Sequence, residues 1–500
     1  MTTHQIAATE RLMVIDGKDV AAAAGEWFER DSPAHDVGVG RYPHARAEDV
    51  DRAVRAARRA FDEGPWPRLP GADRARLLHK VAELIRRDAE QLARTEVLES
   101  GKPITQARDE IEGSAGLWDY AATLARHSYG DAHNQLGPDV LALVVHEPVG
   151  VVAVITPWNF PLLIASQKLP FALAVGCTAV VKPSELTPGT TVHLTQLLLE
   201  AGIPAGVVNT VTGAGEAGAA LTAHPGVDLV SFTGSTEVGR LVARTAGEQL
   251  KRVELELGGK NPQIVLPDAD LDAALDAIVF GVCFNAGECC NSGSRVLVHR
   301  DIAEELQAAV IERSRRVPVG DPLDETTKVG AIVNQEQLDT IERYVGEGND
   351  AGARLLLGGE RLAMPTGRYY RPTVFSGVTS EMSIAREEIF GPVLSLLTFD
   401  DLDQAIRIAN STMYGLSAGI WTRDIDAALL AARGIRAGTV WVNRWMDGYP
   451  ELPFGGYGAS GLGRELGRQA ISAFCETKTV QLQVGPRTAR WLPGRPGEES

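Results

Sequence analysis

The chain has 500 residues, of which 44% are hydrophobic and 23% charged, and a formal net charge of −16. The length calls for two or three domains, and so ordinary a composition excludes a disordered or fibrous protein. The acidic balance disfavours a nucleic-acid or anionic-membrane partner, because a phosphate surface repels the chain as a whole.

The first twenty residues lack a basic start followed by an apolar core, so no signal peptide is expected. From there to about Tyr129 the chain reads mainly helical. Glu48 to Asp62, Arg74 to Leu98 and Asp109 to Ala125 each carry an apolar side, as helices layered on a sheet would. From Val140 the pattern changes. Val140 to His146 alternates, and Val149 to Thr156 is a β-branched run. Helices at 165–175, 190–201, 216–224 and 237–250 then alternate with strands at 179–182, 207–211 and 229–233. Continuous apolar strands between helices indicate a parallel sheet covered on both faces, a Rossmann-like region. The most apolar stretch, Leu169 to Val181, is too short to span a bilayer.

A second α/β alternation starts at Ile264. Helices are expected at 272–284, 302–316, 334–349, 402–409 and 425–433, and strands at 295–298, 353–357, 393–399, 417–421 and 439–442. Residues 477–484 alternate like an edge strand. The Pro/Arg-rich tail beyond them is expected to be partly mobile.

Several short stretches could carry chemistry. Trp158-Asn159-Phe160-Pro161 follows a strand, where an Asn amide can donate to a developing oxyanion. Lys182-Pro-Ser184-Glu185 ends another strand, where such sheets bind ligands; a carboxylate there accepts ribose hydroxyls and repels a 2′-phosphate. Two turns compete for a pyrophosphate. Gly213-Ala-Gly215-Glu-Ala-Gly218 is a literal GxGxxG, and Gly234-Ser235-Thr-Glu-Val-Gly239 joins a strand to a helix N-terminus. In Glu254-Leu-Glu256-Leu257-Gly-Gly-Lys260 an extended chain puts both carboxylates on one face, suiting either for general-base work. Cys289 and Cys290 lie on the Gly-rich connection from Phe284 to Arg295, after a helix rather than at its N-terminus. The helix dipole therefore cannot activate them, and residue chemistry alone does not choose between the two thiols. The five cysteines are odd in number and lack CxxC spacing. They form neither a disulfide framework nor a zinc site, no metal is expected, and free thiols suit a reducing cytoplasm.

In order, TPWNFP, VKPSE, FTGSTEVG, LELGGKNP, FNAGECCNSGSR, EEIFGPV, GTVWVN and PFGGYGASGLGREL resemble the NAD(P)-dependent aldehyde dehydrogenase superfamily, from about Arg41 to Val480. The resemblance implies a Rossmann-like cofactor domain (residues 1–125 and 148–258) and a second α/β catalytic domain (259–460). A small β oligomerisation arm (126–147 and 475–490) completes the fold. It implies Cys290 as nucleophile, Glu256 as general base and Asn159 as oxyanion donor. NAD contacts are implied for Thr156, Trp158, Lys182, Ser184, Glu185, Gly215, Phe232, Gly234, Ser235, Gly239, Leu257, Glu388 and Phe390, with the second Gly turn on the pyrophosphate and the literal GxGxxG near the adenine. Glu185 favours NAD while leaving NADP as a lesser acceptor.

The reaction implied is oxidation of an aldehyde to the acid through a Cys290 thioester, since relatives that transfer the acyl group to coenzyme A lack the glutamate at 256. The alternatives are such an acylating semialdehyde dehydrogenase and a non-catalytic protein on the same fold. Positions matching the substrate funnel are Ile164, Gln167, Phe284, Cys289, Trp445, Tyr449 and Phe454. Gln167 and the nearby Arg444 suggest an anionic or hydroxylated aldehyde. Arg252, Arg464 and Glu476 match an ion-pair group at the family's subunit interface, implying a homodimer or homotetramer.

Overall fold

The computed structural model describes residues 8–127, 129–485 and 491. The expected mobile tail lies outside them, apart from Trp491, as do residues 486–490 of the expected arm.

The β-branched runs form two parallel sheets, because a strand buried on both faces needs no polar alternation. The first sheet runs, in spatial order, Gly461–Leu462, Arg252–Glu256, Leu229–Thr233, Val151–Ile155, Thr178–Lys182, Val208–Thr210, Met13–Ile15 and Lys18–Val20. Neighbours between Arg252–Glu256 and Val208–Thr210 are parallel, and the outer strands are antiparallel. Chain order reverses at Val151–Ile155. The next two strands are laid on one of its sides and the following two on the other, which opens a crevice at the strands' C-terminal ends. Register sets Ile155 beside Lys182 and Phe232, and Thr233 beside Glu256.

The second sheet runs Arg354–Leu357, Thr373–Ser376, Val393–Phe399, Arg295–His299, Pro262–Val265, Ser417–Trp421 and Thr439–Val442, all parallel except the first. Asp131–His133, Val140–Pro148 and Cys475–Gln483 form a separate antiparallel sheet, and the last two pair along their whole length.

The helix Pro161–Val175 starts at a proline, where the missing N–H costs nothing, and so begins four residues before the apolar periodicity does. Behind it packs the helix Ile104–Ala125, whose fully buried Trp118 donates through Nε1 to Ser166 Oγ at 3.0 Å. The expected helix from Arg74 to Leu98 is two helices, Gly71–Arg87 and Ala89–Ser100. The break falls at Asp88, whose carboxylate bonds His193 at 2.9 Å. The region before residue 44, which lacks an expected strand, holds five. They are two to six residues long, too short for periodicity to register, and their pairing is partly remote, Val14 lying opposite Thr210. Thr373–Ser376 is likewise a buried strand with no signal of its own.

Candidate active site

The helix Leu271–Cys283, capped by Asp270, runs into a turn in which Asn285, Ala286 and Gly287 all have left-handed φ, at 50°, 56° and 74°. Two consecutive non-glycine residues in that region store strain, so tertiary contacts must hold them. Asn285 N–H donates to Gln106 Oε1 at 2.9 Å, and its side-chain amide donates to the carbonyls of Asn159 (3.1 Å) and Glu288 (3.0 Å). A Cβ on Gly287 would overlap the Gly391 carbonyl, so the turn rests directly on the backbone of the EEIFGPV segment.

Beyond this turn Cys289 is buried and Cys290 half-buried. The Cys290 carbonyl accepts from Asn261 Nδ2 at 2.7 Å. Its thiol is pushed well above the ordinary range, first by a hydrogen bond with Cys289, then by burial and by the nearby Cys289, Glu388 and Glu256. As expected, the thiol lies beyond a helix C-terminus and gains nothing from a helix dipole.

Asn159 is buried between the strand Val151–Ile155 and the helix Pro161–Val175. Its Nδ2 donates to Glu288 O at 3.1 Å, which ties it to the thiol loop. An amide carries two N–H donors, so a second remains for a ligand. Glu256 ends the strand Arg252–Glu256 and is 4% exposed, with one oxygen lacking a partner. Burial raises its carboxyl well above the usual range. Glu465 and Glu254 add to the rise, and Lys168 and Arg464 oppose it. Lys168 is fully buried and bonds Glu465; Glu254, mostly buried, is pushed up to about 7. Three carboxyls thus gather around one ammonium. Sequence reasoning overlooked Lys168 and Glu465. The available signal was that Lys168 is the only charge in an otherwise apolar helix, where an ion requires a partner.

The residues expected to contact a nucleotide lie around the crevice. Thr156, Lys182, Phe232 and Leu257 lie at or just beyond the ends of neighbouring strands. Thr156 Oγ1 is buried without a partner, a donor left for a ligand. In the turn from Gly234, Ser235 caps the helix Thr236–Gly247, accepting from Val238 N–H at 3.3 Å. A Cβ on Gly239 would overlap Leu257, so the helix N-terminus seats tight against the sheet and its free N–H groups face the crevice. Gly215 opens the helix Gly215–Ala223, and a Cβ on Gly218 would lie 4.0 Å from Lys182 Cδ, so the literal GxGxxG sits beside the Lys182 end. Lys182 Nζ meets the half-buried Glu185 at 3.3 Å, and Ser184 Oγ accepts from Leu186 N–H. At the other end Glu388 accepts from Gly259 N–H at 3.1 Å, and Trp158 meets Phe390 edge-on at 5.3 Å. Burial raises Glu388 to about 7 and lowers the neighbouring Lys260, whose Nζ has no hydrogen-bond partner, to about 7. An orphaned hydroxyl, a cradle that tolerates no Cβ and a carboxylate able to accept ribose hydroxyls fit a dinucleotide.

The funnel positions separate into two groups. Ile164, Phe284 and Cys289 join Phe160, with Leu163 and Met446 packed against them, while Gln167 is half-buried one turn along the same helix from Ile164. Trp445 is a correction. It is 6% exposed in the core of the second sheet's body, edge-on to Trp441 and filling the space above Gly281, Gly293 and Gly419. The side chain that reaches the thiol's neighbours is that of Met446. Tyr449 is exposed and accepts from Arg444 at 2.9 Å, while Phe454 is half-buried and paired through its backbone with Glu465. Arg444 itself bonds Asp447, so it offers no free charge to an anionic substrate. Arg464 also departs from expectation. Arg252 pairs with Glu476 at 2.7 Å, but Arg464 donates to the carbonyls of Gly456 and Gly463.

Residues 20–480 match the model of the Aldehyde dehydrogenase family. An aldehyde dehydrogenase of Aspergillus niger is 44% identical over 95% of both chains. Among solved structures, an NAD-dependent aldehyde dehydrogenase from Sinorhizobium meliloti superposes with a TM-score of 0.96 at 53% identity, over 98% of this chain and 97% of that one. Betaine aldehyde dehydrogenase from Staphylococcus aureus, in complex with NAD+, gives 0.95 at 36% identity over 97% of each chain.

Proposed function

The chain belongs to the aldehyde dehydrogenase family, its activity is the NAD-dependent oxidation of an aldehyde, and we propose that Cys290, Asn159 and Glu256 carry it out. One observation supports this assignment: from three distant segments, the Glu256 carboxyl lies near enough to Cys290 to raise its thiol, and the Asn159 amide is bonded to the residue two before that thiol.

The Cys290 sulfur adds to the aldehyde carbon, and the free N–H of Asn159 with the Cys290 backbone N–H takes the charge that develops on oxygen. When bound, NAD supplies the hydride acceptor that leaves the substrate as a thioester on Cys290. Thr156, Ser235 and the turn from Gly234 to Gly239 would hold its pyrophosphate end, Lys182 and Glu185 the adenosine ribose, and Glu388 and Phe390 the nicotinamide half. Glu256 then removes a proton from water as that water attacks the thioester. Its unpartnered oxygen is the acceptor, and Lys168 stabilises the carboxylate while it waits. Glu256 favours release of the free acid over transfer to coenzyme A.

Glu185, more than two-fifths exposed at the open end of the crevice, would repel a 2′-phosphate and so favours NAD over NADP. Residues 1–125 with 148–258 serve as the cofactor unit, 259–460 as the catalytic unit, and 126–147 with 475–490 as the arm of a homodimer or homotetramer. The exposed edge strand Cys475–Gln483, with Leu482 uncovered, supports the last. Among the described residues no helix is long and apolar enough to cross a membrane. Five unpaired thiols suit a cytoplasmic setting.

The test is an NADH-formation screen over aldehydes of differing charge and length, with Cys290→Ala as the blank. NADH formation that survives in Cys290→Ala would remove the thiol from the mechanism, and acyl-CoA formed on adding coenzyme A would overturn hydrolysis.

A further inference from the structure

The side chains immediately outside the reacting groups are apolar. Phe160 follows Asn159, Cys289 precedes Cys290, and both join Ile164, Leu163, Phe284 and Met446 in one cluster. Phe280, 44% exposed, continues it toward solvent at 5.1 Å from Phe284. An apolar collar strips water from whatever passes it, which penalises a charge unless the wall returns a partner.

The wall returns none for an anion. Lys102, the ammonium in contact with the collar, already bonds Glu110 and lies 3.4 Å from Glu96. Arg444, two residues before Met446, is taken by Asp447. A cation would need an open aromatic face, and the faces of Phe160 and Phe284, the rings packed with Cys289, are occupied. One face of Phe160 carries Lys102 Nζ at 4.6 Å from its centroid, and Phe160 and Phe284 stack on each other at 5.8 Å and 18°. Phe280 leans on Phe284. The rings are spent on one another and on an internal ammonium, so they do not form a cage.

We infer that the site selects aldehydes whose substituent is neutral and apolar, and discriminates against both carboxylate-bearing and quaternary-ammonium aldehydes of the same shape. The inference rests on the Cys290 assignment above. It replaces the anionic or hydroxylated substrate that Gln167 and Arg444 suggest from sequence.

Pairs of aldehydes that differ in charge at nearly constant shape test it. 3,3-Dimethylbutanal is the carbon isostere of betaine aldehyde, and pentanal stands against succinic semialdehyde. Acetaldehyde serves as a control. The expected kcat/KM ratio favours the neutral member of each pair by at least about tenfold; a smaller ratio in either pair overturns the inference. Met446→Glu, which places a carboxylate in the collar, is expected to raise the betaine aldehyde to 3,3-dimethylbutanal ratio by about tenfold. Because the ratio is taken within one preparation, it does not depend on how much of the variant folds. An unchanged ratio would show that the collar does not read charge. NADH from acetaldehyde but no preference for neutral substrates defeats only this inference, whereas no NADH from any aldehyde defeats the assignment beneath it.

Discussion

Lys168→Met tests whether the buried ammonium sets the state of Glu256. Lys168 is 0% exposed, Glu465 6% and Glu256 4%, and oxygens of Glu254, Glu256 and Glu465 lack partners. Deleting the buried ammonium leaves these carboxyls with the half-buried Arg464 and the exposed Arg252 as compensation. Breaking a buried pair from one side typically costs about 3–5 kcal/mol, part of which the carboxyls avoid by staying protonated. That escape disables the base: each further unit by which the Glu256 carboxyl rises holds back about 1.4 kcal/mol, or a factor of ten in its ionised fraction. Acylation, which uses Cys290 and Asn159, should be affected less. Rapid mixing of enzyme, NAD and aldehyde is therefore expected to show a burst of about one NADH per site, followed by a steady state slowed at least about tenfold. Lys168→Met/Glu465→Gln removes cation and anion together and is expected to recover most of the stability and part of the steady-state rate, as paired replacements do. Wild-type steady-state turnover in Lys168→Met, with no burst, would refute the link between this cluster and hydrolysis.

Asn159→Ala is expected to lower kcat by about a hundredfold or more, matching loss of an oxyanion donor worth about 3–4 kcal/mol; turnover near wild type would remove Asn159 from the mechanism. Cys290 is raised and attacks deprotonated, so kcat/KM, which reports the reaction through acylation, should climb with pH from 6 to 9.5. It should still be rising at about 8.5, the ordinary thiol value; a plateau by pH 7 would contradict the burial argument. Glu99, held at about 7 chiefly by burial, keeps its proton in the fold while the unfolded chain loses it near 4.3. Its contribution to stability is therefore full below about pH 4.3 and is lost as pH rises through 7. Between pH 5 and 7 the stability of wild type minus that of Glu99→Gln should fall by about 1.4 kcal/mol per pH unit in urea unfolding, and a flat difference would mean that Glu99 is ionised in the fold.

What the sequence could determine was whatever repeats locally or sits in a contiguous motif. The strands Leu229–Thr233, Val393–Phe399 and Ser417–Trp421 begin and end where their apolar runs do, since a strand buried on both faces is its own signal. The motifs around Asn159, Glu256 and Cys290 were legible for the same reason, each being a strand end or a Gly-rich turn of a few residues. Tertiary structure alone decided what those groups feel. Lys168 and Glu465 are 297 residues apart, and only the folding of one helix against the segment after Gly461 brings them to Glu256, the first as its counter-charge and the second as a like charge. The choice of Met446 over Trp445 at the collar followed from which side chain the glycines at 281, 293 and 419 could admit. The short N-terminal strands were invisible because pairing energy comes from partners far along the chain, and no local pattern of two or three residues carries it. Composition and spacing set which chemistry was available; burial and long-range contacts set the protonation state and the polarity in which it operates.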